Sequence, residues 1–270
     1  MDIITDLLHY YKFDEGNGSV GADEIDNKDF NITNTGLWTP SGKINSGLSW
    51  ETINTSIYTP NFTKPSMPYT IGFWAYIPPT VTETYVIHVS LGGVLALDNS
   101  YRGLAVVVNS VKRINLFLFD SNPFSAPGNR RSYSSNVVLT DGWNYITAVV
   151  EGIGSSDNKL YINGNEDTTF AYTSGTGGPI SYTNEGFRIG QFLQSSYENS
   201  CGRIDELALW GRELTPLEVQ HLYNSGSGLQ YPFGLLSPYK IWDGSTWQPT
   251  TLKIYNGTLW IDINAYNIKE

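Results

Sequence analysis

Acidic and amide side chains recur in this chain at points where several could converge. Asp14 and Glu15 follow the first apolar run, Asp26 and Asn27 stand in the next polar stretch, and Asp205 lies far along the chain in Gly202-Arg203-Ile204-Asp205-Glu206. Hard divalent cations take several carboxylate and carbonyl oxygens at about 2.3–2.6 Å. Asp14, Asp26 and Asp205 are therefore the candidate ligands for calcium. The competing reading leaves Asp205 to cap backbone amides or to pair with Arg203 or Arg212. No segment has EF-hand spacing.

A second chemistry is sugar recognition, which stacks C–H faces on aromatic rings and ties hydroxyls to amides and carboxylates. Tyr101, Phe124, Tyr133, Tyr182 and Tyr197 are candidate platforms, and Asn99, Asn122 and Asn129 candidate polar contacts. Most aromatics of a β protein are core, and Trp74, Trp143 and Trp210 lie in strand patterns that place them there.

Catalysis finds no support. His9, His88 and His221 are scattered, with no serine or cysteine motif beside them. Glu24-Ile25-Asp26-Asn27-Lys28-Asp29 only superficially resembles the Glu-x-Asp-x-x-Glu strand of glycoside hydrolases. Asp205 and Glu206 are adjacent, so on a regular strand they point to opposite faces and form no acid–base pair. The expectation is a non-enzymatic protein.

The elements that must position these residues read as β. Of 270 residues, 14% are aromatic and only 16% charged, with Gly and Pro spread throughout; this is the composition of an all-β chain. The net charge of −10, without a basic run, argues against nucleic acid. Cys201 is the single cysteine, expected as a small buried residue. The first residues lack the basic and apolar regions of a signal peptide, and no apolar run is long enough to span a membrane. The expectation is a chain made in a host cytoplasm that acts outside after lysis or assembly.

Strands are predicted at 7–13, 69–77, 104–108, 113–119, 136–139, 143–150, 159–165, 187–192 and 203–210. Residues 69–77 alternate, whereas 143–150 is apolar on both faces, as in a central strand. Asn163-Gly164 marks a tight hairpin. One helix is predicted after Thr215, with Pro216 at its first position, Glu218 closing a capping box, and Leu214 and Val219 as the staple. Past Gly234, Lys240-Ile241-Trp242-Asp243-Gly244-Ser245-Thr246-Trp247 recurs as Lys253-Ile254-Tyr255-Asn256-Gly257-Thr258-Leu259-Trp260. These tandem hairpins, carrying Trp242, Trp247, Tyr255 and Trp260, need a surface to pack on. The boundaries are thus a domain at 1–234 and an anchoring or assembly segment at 235–270.

Three segments in series resemble the laminin-G-like, concanavalin A-like jelly-roll superfamily over residues 7 to about 234. They are Tyr11-Lys12-Phe13-Asp14-Glu15-Gly16-Asn17-Gly18, then Trp143 to Val149 with Leu160-Tyr161-Ile162-Asn163-Gly164, then Gly202 to Thr215 with the following helix. The resemblance implies a two-sheet antiparallel sandwich, a role in binding carbohydrate or protein, and in many members a calcium ion at the sandwich edge. Carried over, that site maps to Asp26 and Asp205. The C-terminal repeat is similar to hairpins of phage tail and other virion proteins. Together these imply a bacteriophage virion protein, of tail, fibre or capsid decoration, whose jelly roll recognises a surface glycan. The alternatives are a purely structural virion part and a bacterial carbohydrate-binding module or adhesin. Its partners are expected to be surface glycans or other virion proteins, in a homo-oligomer or larger assembly.

Overall fold

Three strands, Tyr69–Ile77, Gly142–Val150 and Arg203–Trp210, are buried on both faces over nearly their whole length. Such strands must lie mid-sheet and be covered twice. The computed structural model describes residues 3–93, 100–123, 130–153, 158–174, 178–190 and 200–233, and the C-terminal strands at 239–242, 247–250, 253–255 and 260–262. The first sheet runs Asn165–Glu166, Asn158–Ile162, Gly142–Val150, Tyr69–Ile77, Arg203–Trp210, Gly47–Ser49 and Trp38–Thr39, with Leu7–Tyr11 also paired to Arg203–Trp210. The second runs Ala171–Ser174, Arg130–Ser134, Ile114–Pro123, Ser100–Asn109, Tyr85–Leu91, Phe187–Ile189, Ile57–Tyr58, Phe30–Asn31 and Val20–Gly21. All neighbours are antiparallel, and the two sheets enclose one core that includes Ile71, Phe73, Ile146 and Leu209 from the first and Val89, Val106 and Leu116 from the second.

The outer face of the first sheet carries a second cluster. Trp74, Tyr145, Val149 and Trp210 meet Val219 and Leu222 of the helix Pro216–Tyr223, with Ile3 and Phe233 from the two flanking segments. The helix starts as its sequence dictates. Thr215 Oγ1 accepts from the Glu218 amide, and the Thr215 amide donates to Glu218 Oε2 at 2.8 Å. Asn224 ends it in the left-handed conformation. Arg212 then grips the buried Glu218 carboxylate with two nitrogens, at 2.7 and 3.0 Å. The Asn163-Gly164 turn has both residues at positive φ, 53° and 80°, as a tight hairpin matching strand twist requires.

Two expectations change, and one strand has no counterpart among those predicted. Residues 136–139 form no strand: Val137 and Val138 are exposed and only Leu139 is buried, so the segment has no apolar face, and Arg130–Ser134 takes the place beside Ile114–Pro123. Tyr85–Leu91, where His88 and Ser90 break the apolar run, is a central strand of the second sheet. Trp143 is half-buried rather than core; it packs edge-on against Tyr76, ring centres 5.6 Å apart, on the outer face of the first sheet. Cys201 is buried, as expected.

In the C-terminal segment, Trp242 pairs with Trp247 across one hairpin, and Tyr255 with Trp260 across the other. In each, a lysine, Lys240 or Lys253, precedes the first aromatic of the pair by two residues, opposite Pro249 in one and Asp262 in the other.

The capping box gives a direct test. Thr215→Ala should lower unfolding free energy by about 1 kcal/mol, seen in urea titration as an earlier midpoint at unchanged slope. An unchanged midpoint would mean that helix docking, not the cap, fixes this end.

Candidate functional site

Leu7–Tyr11 is an edge strand, paired only with Arg203–Trp210. The loop at 22–29 closes its open margin, and Asp23 holds that loop. Asp23 Oδ1 accepts from the amides of Tyr10 and Ile25, both at 3.1 Å, and Oδ2 accepts from that of Lys28 at 3.3 Å. His9 Nδ1 lies 2.7 Å from the same Oδ2, and the Asp23 amide donates to Asp29 Oδ1 at 2.9 Å. A buried carboxylate is tolerated only with such compensation.

Beside this network opens a groove of about 590 Å³. Leu8, Ile25 and Phe62 give it an apolar wall, while Asp26, Asn61 and Thr63 stand exposed at its rim. Leu7, Lys28 and the nearly buried His9 complete the lining. The Phe62 ring lies against His9, centroids 3.9 Å apart. Lys64 Nζ stands 5.2 Å over Phe62 and bonds the Phe62 carbonyl at 3.0 Å, which fixes the second loop of the groove.

The other acidic residues gather elsewhere. Asp205 Oδ2 accepts from the amides of Lys43 and Ile44 at 2.7 and 2.9 Å. Asp14 accepts from the Ser46 amide and the Asn45 side chain. Gln230 Nε2 donates to both Asp14 Oδ2, at 2.6 Å, and Glu206 Oε1, at 2.8 Å. Asp205 and Glu206 do not diverge as adjacent strand residues should. The register slips between Asp205 and Ala208, and Glu206 is the inserted residue, at φ 54°; a bulge re-aims the side chain. Burial pushes the Asp205 carboxyl well above its ordinary range and Glu206 up to about 8.

The structure thus brings Asp14 and Asp205 to one corner but places Asp26 in the groove, so the expected meeting of Asp26 with Asp205 does not occur. Among the described residues no group of three or more His, Cys, Asp or Glu side chains is arranged to hold a metal ion. The oxygens of Asp14 and Asp205 face protein donors instead, which is the capping alternative. Of the expected sugar contacts, Asn99, Phe124, Asn129 and Tyr197 lie outside the described residues. Tyr101 and Asn122 fall on the strands Ser100–Asn109 and Ile114–Pro123, at the end where Arg102 pairs with Asp120. Tyr182 is no free platform: its hydroxyl is 3.1 Å from that of Tyr69, and its ring lies where a Cβ on Gly92 would fall. Tyr133 is core. The groove residues Phe62, Asn61 and Lys28, and Asp23 behind them, went unread in the sequence. The available signal was His9 itself, a polar residue inside an otherwise apolar edge strand.

Residues 51–220 match the family model described as the concanavalin A-like lectin/glucanases superfamily (Laminin_G_3). Among curated proteins none matches the chain. In fold the chain is similar to Trypanosoma rangeli sialidase in complex with sialic acid, with TM-score 0.57 and 13% identity over 83% of this chain and 34% of that one. It is also similar to the binding domain of Paraclostridial Mosquitocidal Protein 1, with TM-score 0.58 and 16% identity over 82% of this chain and 52% of that one. The chain therefore spans about a third of the sialidase and about half of the toxin fragment.

The buried acids set a pH dependence. Glu206 ordinarily titrates near 4.5 and in the folded protein near 8. Between those values the folded state holds a proton that the unfolded chain releases, so this contribution is complete below 4.5 and is lost as pH rises through 8. The melting temperature should fall over that window, and Glu206→Gln should flatten the fall. Equal slopes in the two proteins would show Glu206 ionised in the folded state.

Proposed function

The chain belongs to the concanavalin A-like lectin/glucanases superfamily, and from that premise we propose that it is a non-enzymatic carbohydrate-binding protein whose site is the groove beside Leu7–Tyr11. One observation carries the reading. The groove sets an apolar wall of Leu8, Ile25 and Phe62 against a rim of carboxylate, amide, hydroxyl and ammonium groups. A pyranose has the matching division, with C–H faces that leave water readily and hydroxyl edges that must be hydrogen-bonded. The kinship in fold with a sialidase in complex with sialic acid and with the binding domain of a mosquitocidal protein agrees with a binding role; it is an analogy of fold, and the site carries the argument.

The reading extends to where the protein works. The tandem C-terminal strand pairs repeat one device, an aromatic opposite an aromatic with a lysine two residues before the first, as a part that attaches to a neighbouring chain would. We therefore assign residues 235–270 to assembly on a bacteriophage particle, with the sandwich presented to a host-surface glycan.

Glycan-array binding by the intact chain tests the first part. Selective binding is expected, weakened at least tenfold by Asp26→Ala with Asn61→Ala, both exposed and so removable without loss of fold. Binding should persist in chelator. A blank array from folded protein would point to a purely structural particle component. For the second part, a chain ending at Gly234 should unfold at the same temperature as the whole while losing self-association or attachment in sedimentation. Early unfolding of the shortened chain would make the hairpins part of the core.

A further inference from the structure

Asp23 determines what the groove can recognise. Its carboxylate accepts from three backbone amides, of Tyr10, Ile25 and Lys28, so it is an acceptor toward His9 as well. The 2.7 Å contact to His9 Nδ1 therefore carries the proton on Nδ1. In the neutral imidazole Nε2 is then a bare acceptor. Nδ1 turns toward Asp23, so Nε2 turns away from it, on a ring that lines the groove. Among the described residues Nε2 has no hydrogen-bond partner, although His9 is only 3% exposed. The ring cannot swing to find one, because Asp23 holds one edge and Phe62 lies 3.9 Å from its centre, with Tyr11 stacked at 6.5 Å.

We propose that His9 is the specificity-determining residue of the groove, and that the ligand is an uncharged sugar that lays its apolar face on the Leu8, Ile25 and Phe62 wall and donates one hydroxyl to His9 Nε2. This rests on the reading of the groove as a carbohydrate site and adds which sugars it takes. A nearly buried acceptor with no protein partner accepts a ligand that brings a donor and penalises one that does not. Among the lining residues the Lys28 ammonium stands against the Asp26 carboxylate, with the Asp23 and Asp29 carboxylates beside them. No surplus cation is left to pair with an acidic sugar, and the chain as a whole carries −10.

Two substitutions separate the two nitrogens of His9. His9→Asn keeps an N–H toward Asp23 and places nothing at Nε2; His9→Gln can reach the Nε2 position and gives up the Asp23 contact. The probes are methyl α-glucoside, methyl α-galactoside and N-acetylglucosamine, with sialyllactose as the acidic comparison, titrated by calorimetry against the full chain. The wild type should bind at least one neutral probe at least tenfold more tightly than sialyllactose. His9→Asn should melt with the wild type and bind at least tenfold more weakly, with partial recovery in His9→Gln. The imidazole ¹⁵N resonance of Nε2 should shift on saturation with sugar, a signal a purely structural histidine would not give. Wild-type affinity in His9→Asn, an unmoved Nε2 resonance, or preference for sialyllactose would overturn the proposal. If Asp26→Ala with Asn61→Ala weakens binding while His9→Asn does not, the groove stands and only the role of His9 fails. If no probe binds, both readings fail together. Should His9→Asn not fold, the resonance and the sialyllactose comparison decide.

Discussion

Three neighbouring strands buried on both faces set the terms for the rest of this molecule. Tyr69–Ile77, Gly142–Val150 and Arg203–Trp210 would expose Trp74, Tyr145, Val149 and Trp210 if only the second sheet covered them. Each such side chain is worth roughly 1.5–3 kcal/mol when buried, so the outer face must be closed. The short helix closes part of it, which is why a two-turn helix that would fray alone persists here. The chain ends of the domain close the rest. Trp210 Nε1 donates to the Ile3 carbonyl at 2.9 Å, and the Tyr231 amide to the Tyr10 hydroxyl at 3.1 Å. The family match at 51–220 is therefore narrower than the folding unit. Residues 3–49 supply edge strands of both sheets, and Phe233 belongs to the outer cluster.

That same constraint explains how much of the fold could be read from residues. Long strands with one strict pattern declared themselves: 69–77 by alternation, 143–150 by its unbroken apolar run. The helix declared itself by chemistry that is local by nature, a cap, a proline and a staple. Tyr85–Leu91 did not, because His88 and Ser90 suggest a solvent face where the folded chain buries both. The two-residue strands between Val20 and Tyr58 left no trace, since a pair of residues has no period. Val137 and Val138 misled in the opposite direction: β-branched residues favour strands, and here they are exposed beside a strand rather than in one.

The site was less legible, for two physical reasons. Alternation of side chains holds only while the register holds, and one inserted residue at Glu206 turned two supposedly opposed carboxylates to one side. Sequence also does not distinguish Asp23 from Asp26. Both are acids in one polar loop, three positions apart. Three backbone amides and an imidazole close around the first, which becomes part of the frame, while the second stays at the rim of the groove. Which acid becomes structural is decided by the path of the loop, and that path is fixed by contacts with Tyr10 and His9 on a strand that precedes it.

A binding surface needs rigid walls more than it needs many contacts, since ordering loops on arrival of a ligand subtracts from affinity. The groove meets that condition with unrelated pieces of chain. Its strand is locked by pairing to Arg203–Trp210, its first loop by Asp23, and its second by Lys64 on the Phe62 carbonyl. Phe62 then ties the second loop to the core through Phe187, ring centres 5.8 Å apart. None of these locks draws on the hairpins beyond Gly234, whose register repeats its own aromatic pairing. With the outer face of the first sheet closed by the helix and the flanking segments, it is at its margin, along the strand Leu7–Tyr11, that backbone, buried acid and aromatic wall combine into a fixed, partly polar groove.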